Sequence, residues 1–352
     1  MTKDTSNNKE QLKAAARKKV KKSFSLDDFK NKKGLSDTSL EFKEQSWIPV
    51  SEALKDIVSL PGLPAGHITL LRGHSDTGKT TCLLEAGANA QKVGALPVFI
   101  ITEMKWSWEH AQDMGLDLDG EYLYVDRSNL NTIEDVASFI LDLIDEQEKG
   151  KLPYDLVFLW DSIGSIPCEL SVTSKKNNNE WNAGAVSTQF GNNVNQKILL
   201  SRKKSYPYTN SLVAINKVWT QKPDNPMGQP KLMNKNGMTM WYDATLVLTF
   251  GNVTNPGTSK IQAIKDGKKV EFAKRTNIQV EKNHLGSVQS RGRIVMTGHG
   301  FIKDHKRDID RYKEEHRDHW NKLLGGLDFE LEDEGDMEED PIITNKLKEK
   351  DV

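Results

Sequence analysis

Eight consecutive residues, from Gly73 to Thr80, constrain this chain more than any other stretch of it. They read Gly-His-Ser-Asp-Thr-Gly-Lys-Thr and match the pattern G-x-x-x-x-G-K-[ST] at every specified position. This pattern defines the P-loop, and the name refers below to residues 73–80. The glycines let the backbone curl until several N–H groups point at phosphate oxygens. The apolar residues 67–71 before the loop predict a strand, and residues 81–86 after it predict the start of a helix. A strand–loop–helix unit of this kind predicts an α/β protein that binds the phosphates of a nucleotide.

The residues of the loop have separate expected roles. Lys79 is expected to reach the β- and γ-phosphates of ATP, and the Thr80 hydroxyl is expected to bind Mg²⁺. The other nucleotide contacts are expected from the loop itself and from the residue that follows it: Gly73, His74, Ser75, Asp76, Thr77, Gly78 and Thr81. ATP and Mg²⁺ are therefore the expected cofactors.

Beyond the loop, apolar runs alternate with helical patterns, which is typical of a mostly parallel, twisted sheet with helices on both faces. Helices are predicted over residues 132–148, where Thr132 and Asp135 form a capping-box pattern, and over residues 184–203. Buried strands are predicted at residues 96–102, 122–125, 156–160 and 212–215. Hairpin-like spacing of residues 244–250, 278–282 and 292–296 predicts an antiparallel far edge of the sheet.

Polar residues follow three of the predicted strands, at the edge where an open α/β sheet binds its ligands. Asp161 comes after five apolar residues, as does the aspartate that holds Mg²⁺ in P-loop proteins. Glu103 is the candidate general base that would take a proton from the attacking water. Asn216 and Lys217 end the third strand, and Lys217 either senses the γ-phosphate or is a solvated loop residue.

Two long segments, residues 169–189 and 218–240, follow the strand ends at Asp161 and Asn216 and are predicted to be loops. They are rich in Asn, Gln and Gly and carry basic and aromatic side chains, which suit the phosphates and bases of a nucleic acid. The alternative is that both are ordinary mobile insertions. The candidate DNA-contacting residues are Lys175, Lys176, Trp181, Lys222, Lys231 and Lys235.

The formal net charge of −1 hides a strong segregation of charge along the chain. Residues 9–33 hold ten Lys or Arg against three acidic residues, whereas residues 328–340 hold nine acidic residues and no basic one. This asymmetry favours a protein that handles a polyanion, with an acidic tail that competes for the same surface; alternatively, each run is only a solvated terminus. We expect a flexible arm over residues 1–45, a core over 46–305, and a charged helix (308–324) and acidic tail over 306–352.

The two cysteines, Cys82 and Cys168, lie far apart in the sequence, which argues against a disulfide framework or a zinc site. No apolar run approaches the length of a membrane span, and the charged N-terminus does not resemble a signal peptide. We therefore expect a soluble cytoplasmic protein with no membrane partner.

Taken together and in order, these motifs resemble those of the RecA family of homologous-recombination ATPases, most closely its bacteriophage branch. The resemblance covers roughly residues 50–296. It implies a RecA-like P-loop core and a DNA-dependent ATPase that forms a homo-oligomeric helical filament on single-stranded DNA. Such a filament pairs with homologous double-stranded DNA in recombination, repair and recombination-dependent replication. The resemblance rests on Gly62-Leu63-Pro64-x-Gly66, the P-loop, Ile101-Thr102-Glu103, Leu159-Trp160-Asp161-Ser162, Ala214-Ile215-Asn216 and Glu281-Lys282-Asn283.

Residue by residue, the resemblance makes Glu103 the catalytic glutamate and places Lys282 against the ATP of the neighbouring subunit. It makes Asn216 and Lys217 the residues that couple the γ-phosphate to the second of two DNA-binding loops, residues 169–189 and 218–240. It further implies loading, mediator and single-strand-binding proteins as partners, and the cytoplasm of a phage-infected bacterium as the location.

Three positions depart from the family pattern. Lys217 stands where bacterial members usually have Gln, and His110 stands where many members have an adenine-stacking Tyr. His284 replaces the second basic residue of the pair that begins at Lys282, although Arg291 and Arg293 on the adjoining strand could compensate.

Two rival hypotheses use the same core. A RecA-fold ring helicase would take its arginine finger from Arg291 or Arg293. A non-catalytic mediator would bind DNA under the control of ATP without hydrolysing it, and Glu103 and Asp161 weigh against it. The recombinase is the leading hypothesis.

Overall fold

The computed structural model of the chain describes residues 25–34, 41–223, 228–265, 268–286 and 290–317. The elements that precede the P-loop are α1 (Leu26–Lys32), β1 (Trp47–Pro49), α2 (Glu52–Val58) and β2 (Gly62–Pro64). The next part of the chain contains β3 (Ile68–Gly73), α3 (Lys79–Lys92), β4 (Leu96–Ile101), α4 (Trp108–Asp113), β5 (Leu123–Asp126), α5 (Ile133–Glu148) and β6 (Leu156–Asp161).

A largely helical stretch follows, formed by a 3₁₀ turn (Ile163–Ser165), α6 (Glu169–Thr173), α7 (Asn179–Val186), a π-helical segment (Ser187–Val194) and α8 (Asn195–Leu200). The chain then forms β7 (Ser211–Gln221), β8 (Lys231–Asn234), α9 (Thr239–Asp243), β9 (Leu246–Phe250), β10 (Ser259–Lys265) and β11 (Lys268–Asn283). The last described elements are β12 (Arg291–Thr297), β13 (Gly300–Lys303) and α10 (Lys306–Glu315).

The main sheet has the order β13-β12-β11-β9-β3-β7-β6-β4-β5, with β10 paired to β11 and β8 paired to β7. All pairs from β9 through β3 to β5 are parallel, and β9, β11, β12 and β13 pair antiparallel to one another. The protein is therefore a mixed α/β fold with a large, mostly parallel sheet and an antiparallel far edge. Both features of the sheet were predicted from the sequence, and the prediction is confirmed.

Helices cover both faces of the sheet because alternate strand residues are apolar on each side. Leu71, Phe99 and Leu159 face α2 and α3, whereas Phe158 and Trp160 face α5 and the helices after it. The predicted capping box of α5 is present, since the side chains of its N-cap and third residue each bind the other's backbone N–H. A small third core lies between β10, β11, β12 and α10.

The first predicted loop, residues 169–189, is helical in the structure except at residues 174–178, so the prediction of a loop is wrong for most of this segment. The apolar residues Val186, Phe190, Val194 and Ile198 are all buried, and their spacing of four places them on one helical face. The Phe190 ring stacks on Trp160 with ring centroids 4.8 Å apart. This buried stripe stabilises the helix predicted at residues 184–203 and extends the helical structure backwards into the segment predicted to be a loop.

The second predicted loop, residues 218–240, is also largely ordered, and its prediction as a loop is wrong. Strand β7 continues to Gln221 and pairs antiparallel with β8, in a register that sets Val218 opposite Asn234. Residues 239–240 already belong to α9. The segment is therefore mainly a hairpin that extends beyond the edge of the sheet, and residues 224–227 at its turn lie outside the described residues.

The predicted boundary of the N-terminal arm at residue 45 is too late. Phe42 forms an isolated β-bridge with Lys203, and Lys43 Nζ donates to Ser201 O at 3.0 Å and to Thr209 Oγ1 at 2.9 Å.

Residues 9–24 of the basic run and the acidic tail at 328–340 lie outside the described residues, so the predictions about them stand as predictions. The first part of the predicted C-terminal helix (308–324) is present as α10, which begins at Lys306 and ends at Glu315, and the residues after 317 lie outside the described part. In the described part of the chain, no helix combines the length and the apolar character that crossing a membrane requires.

Candidate nucleotide site

The P-loop joins β3 to α3 in a conformation that depends on its glycines. Gly73 has φ 149° and Gly78 has φ 101°, and a Cβ added at Gly73 would collide with the carbonyl of Phe250. Two hydroxyl groups hold the loop in place, one from the loop itself and one from a neighbouring strand. Thr77 Oγ1 donates to His74 O at 2.8 Å, and Thr276 Oγ1 on β11 donates to Thr77 O at 2.9 Å. These hydrogen bonds fix the conformation of the loop at the N-terminus of α3, where anions bind favourably.

Lys79 is the buried cation of this loop. Its Nζ donates to His74 O. Burial lowers the pKa of Lys79 to about 8, and the nearby carboxylates of Asp161 and Glu103 counter part of that effect. A buried ammonium at the N-terminus of a helix is suited to bind a di- or triphosphate, because negative charge nearby favours its charged form.

The two predicted Mg²⁺ ligands lie side by side. Thr80 Oγ1 donates to Asp161 Oδ2 at 2.8 Å. Asp161 is buried, and this burial raises its pKa because the ionised form has lost water. Among the described residues no cluster of three or more His, Cys, Asp or Glu side chains could hold a metal by itself. Magnesium usually takes one or two carboxylates together with substrate phosphates, so the hydroxyl and carboxylate here fit it.

Glu103 lies at the end of β4 and is held over the same site. The backbone N–H groups of Thr102 and Glu103 donate to Asp161 O at 2.8 and 3.0 Å. The Glu103 side chain forms an ion pair with Lys217, with 3.1 Å between Oε1 and Nζ. Lys217 in turn lies opposite Gly73 in the parallel register of β3 and β7. The structure therefore brings Lys79, Asp161, Glu103 and Lys217 together at one edge of the sheet.

Backbone and amide hydrogen bonds connect this edge to the β7–β8 hairpin. Asn216 Nδ2 donates to Lys235 O at 3.0 Å, and Lys235 N donates to Lys217 O at 2.9 Å. Asn236 extends the connection, because its N–H donates to Asn179 Oδ1 at 3.0 Å and its Nδ2 donates to Ile163 O at 2.9 Å. The predicted coupling pair, Asn216 and Lys217, thus contacts the hairpin directly, and the hairpin contacts α7.

Arg72 was not identified from the sequence as a site residue. It is buried next to the P-loop and forms an ion pair with Glu281 at 2.6 Å. Its other hydrogen bonds go to Thr249 Oγ1 at 3.0 Å and to Asn234 Oδ1 at 3.1 Å. A charged residue inside an otherwise apolar strand was the available signal, since such a residue needs buried partners. Arg72 ties the P-loop strand to both the hairpin and β11.

Most of the candidate DNA-contacting residues are accessible. The five lysines at positions 175, 176, 222, 231 and 235 are exposed, and within the described ranges none of them forms an ion pair. Trp181 differs, because it is only partly exposed and packs against the main core. Trp219 on the hairpin is 51% exposed and is an aromatic residue better placed for a ligand.

Lys282, predicted to act on a neighbouring subunit, contacts its own chain in this structure. Its Nζ donates to Tyr242 O at 2.5 Å and to Trp241 O at 3.1 Å, at the end of α9. Burial lowers the pKa of Lys282, and Asp243 partly opposes this. To reach a nucleotide on another subunit, the ammonium would have to exchange these carbonyls for phosphate.

His110 and the two arginines that could compensate for His284 have unequal surroundings. His110 on α4 is partly buried, and burial lowers its pKa. Arg293 forms an ion pair with Asp304 at 2.7 Å. Arg291 and Arg293 both border a polar cavity of about 610 Å³ over β9, β11 and β12. The two arginines are therefore near each other on an open face of the sheet.

No family model matches the chain. Among curated proteins, it is similar to "Protein RecA" of Streptomyces ambofaciens, with 36% identity over 98 residues, which is 27% of this chain and 26% of that protein. It is 38% identical to "Protein RecA" of Clavibacter michiganensis subsp. michiganensis over 73 residues, 20% of each chain. The similarity to "Protein RecA" of Mycobacterium leprae is 40% over 75 residues, 21% of this chain and 10% of that one. The matched part thus spans about a quarter or less of these relatives, and over that part the chain is similar to RecA, which supports a relation to the RecA family.

Proposed function

We propose that this protein is an ATP-dependent DNA recombinase. It hydrolyses ATP to ADP and phosphate in response to DNA, forms a filament on single-stranded DNA and pairs that strand with a homologous duplex. The observation that carries the proposal is the direct hydrogen-bonded connection between the phosphate site and the β7–β8 hairpin, through Asn216, Lys217 and Lys235. The partial similarity to RecA supports the same function.

In the proposed reaction, the P-loop N–H groups and Lys79 bind the phosphates of ATP, and Thr80 and Asp161 would hold Mg²⁺. The ion would neutralise charge on the β- and γ-phosphates. Glu103 accepts a proton from the water that attacks the γ-phosphorus. The bond between this phosphorus and the β–γ bridging oxygen breaks, and the electron pair leaves with ADP.

Lys217 connects this chemistry to DNA. It forms an ion pair with Glu103, and a γ-phosphate would compete for the same ammonium. Since the Lys217 carbonyl accepts the N–H of Lys235, a shift of Lys217 changes the position of the hairpin. The exposed lysines of the hairpin and of the α6–α7 connection then bind the DNA backbone more strongly in the ATP state.

The filament is the part of the proposal that needs a second copy of the chain. Lys282 of one subunit would stabilise the charge on the γ-phosphate bound by its neighbour, as cations supplied in trans do in other NTPases. Double-stranded DNA, loading or mediator proteins and single-strand-binding proteins complete the proposed partners. The proposed setting is the cytoplasm of a phage-infected bacterium.

Hydrolysis of ATP with and without single-stranded DNA tests the function. Wild-type protein should hydrolyse ATP faster with DNA, and Glu103→Gln should reduce that rate by about 10²-fold or more, the contribution expected of a general base. The matched control is Glu109→Gln on α4, a nearby exposed carboxylate that should leave the rate unchanged.

Three results would contradict the proposal. A Glu103→Gln variant with the wild-type rate would remove the assigned base. Binding of ATP without any hydrolysis at saturating DNA would favour a non-catalytic mediator. Unwinding of a duplex without any requirement for homology would favour a ring helicase.

A further inference from the structure

Strand β11 brings a second lysine towards the P-loop. Thr276 on this strand is buried, and its hydroxyl donates to Thr77 O at 2.9 Å, so this face of β11 is turned towards the loop. Side chains two residues apart on a strand point to the same face. Lys274, two residues before Thr276 on β11, therefore also faces the P-loop.

The neighbouring strand β12 places an apolar side chain, Met296, beside Lys274. In the antiparallel register of β11 and β12, Lys274 lies directly opposite Met296, and directly opposed side chains share a face. Met296 approaches the loop closely, because a Cβ added at Gly78 would lie 3.1 Å from its Sδ. The two side chains and the loop enclose a cavity of about 200 Å³, lined by Asp76, Thr77, Gly78, Lys79, Thr80, Thr81, Lys274 and Met296.

Glu271, the ion-pair partner of Lys274, also pairs with a second lysine. Lys274 Nζ lies 3.2 Å from Glu271 Oε1, and Lys260 Nζ lies 2.7 Å from the other oxygen of the same carboxylate. If Lys274 turned towards a phosphate, Glu271 would keep Lys260 as its counter-ion. Little electrostatic energy would be lost in that exchange, since partly exposed ion pairs of this kind contribute little to stability.

We propose that Lys274 is a nucleotide-binding residue that contacts the α-phosphate end of the nucleotide, while Met296 packs against the sugar or base. This inference rests on the proposed binding of nucleotide at the P-loop. Lys79 and Thr80 serve the terminal phosphates and the metal, and the loop backbone cradles the α- and β-phosphates. Lys274 and Thr81 line the same cavity as these loop residues, and with Lys79 and Thr80 assigned to the terminal phosphates and the metal, the α-phosphate is the group left for Lys274. The contact is therefore common to ATP and ADP.

Calorimetric titration without DNA tests the assignment, using ADP and a non-hydrolysable ATP analogue. Lys274→Ala should weaken both ligands by a similar factor of about ten, roughly 1.4 kcal/mol, and Lys274→Arg should retain most of the affinity. Lys260→Ala is the matched control. It removes a lysine that shares Glu271 but lies outside the cavity and is 64% exposed, against 30% for Lys274, so its affinities should equal those of wild type.

The possible failures are separable. If wild type binds ADP and Lys274→Ala binds it equally well, the inference is wrong while nucleotide binding stands. If wild type binds neither ligand, both the inference and the proposed function fail. A loss restricted to the ATP analogue, or an equal loss in Lys260→Ala, would also overturn the assignment. Equal melting temperatures of the variants establish that the comparison is between folded proteins.

Discussion

The buried ammonium of Lys79 makes nucleotide binding depend on pH in a way that can be calculated. Burial lowers its pKa from 10.5 to about 8. The folded protein without nucleotide therefore binds fewer protons than the unfolded chain between about pH 8 and 10.5, and the contribution of Lys79 to stability rises as the pH rises through this range. Phosphates at the loop reverse the effect, because they favour the charged form of Lys79.

The size of the effect follows from the pKa. Near pH 8 about half of the Lys79 groups are neutral, so binding of nucleotide should take up about 0.5 proton. The uptake should be only about 0.1 proton near pH 7 and about 0.9 near pH 9. Because neutral Lys79 must first be protonated, ADP should bind roughly tenfold more weakly near pH 9 than near pH 7.

Titration calorimetry in two buffers of different ionisation enthalpy measures this proton uptake. ADP is the suitable ligand above about pH 7.5, since its own phosphates are then largely ionised. Lys79→Arg is the matched control, because a guanidinium stays protonated throughout this range and should show no uptake. An uptake that does not increase from about pH 7.5 to 9, or the same uptake in Lys79→Arg, would contradict the role assigned to Lys79.

Four further predictions concern DNA. Lys282→Ala should abolish DNA-stimulated hydrolysis but leave ADP binding by the isolated subunit intact; unchanged turnover would refute a shared site. Asn216→Ala removes the hydrogen bond to the hairpin, and should reduce the ATP-dependent increase in affinity for single-stranded DNA several-fold, or about 1 kcal/mol; an undiminished increase would contradict the coupling route. Replacing Lys175 and Lys176 by Ala should lower the slope of log affinity against log salt by about one to two, and removal of residues 328–352 should tighten DNA binding; an unchanged slope or an unchanged affinity would contradict these two assignments.

The sequence was sufficient to predict the parts of the fold that depend on local pattern. The near-continuous apolar runs of β4 and β6 predicted buried parallel strands, and Thr132 and Asp135 predicted the start of α5. The P-loop pattern also predicts which residues would bind the phosphates, and that stays a prediction. It also predicted that Asp161, after five apolar residues, would reach this site, and its carboxylate does accept the Thr80 hydroxyl.

Features that depend on distant partners could not be predicted in the same way. The stripe from Val186 to Ile198 lies within the helix that was predicted at residues 184–203, but the two helices before it, α6 and α7, were predicted to be a loop. Their residues pack against distant parts of the chain, and no local apolar pattern indicates that packing. The contact between Lys274 and the P-loop depends on the register of β11 and β12, which no local pattern specifies. Arg72 likewise depends on Glu281, 209 positions later in the chain.

ATP is proposed to drive assembly of this protein on single-stranded DNA, and electron microscopy tests this proposal most directly. With single-stranded DNA and a non-hydrolysable ATP analogue, the account predicts continuous helical filaments, which should be absent with ADP and in a Lys79→Ala variant. Closed rings, or isolated particles that do not change with the nucleotide, would contradict it.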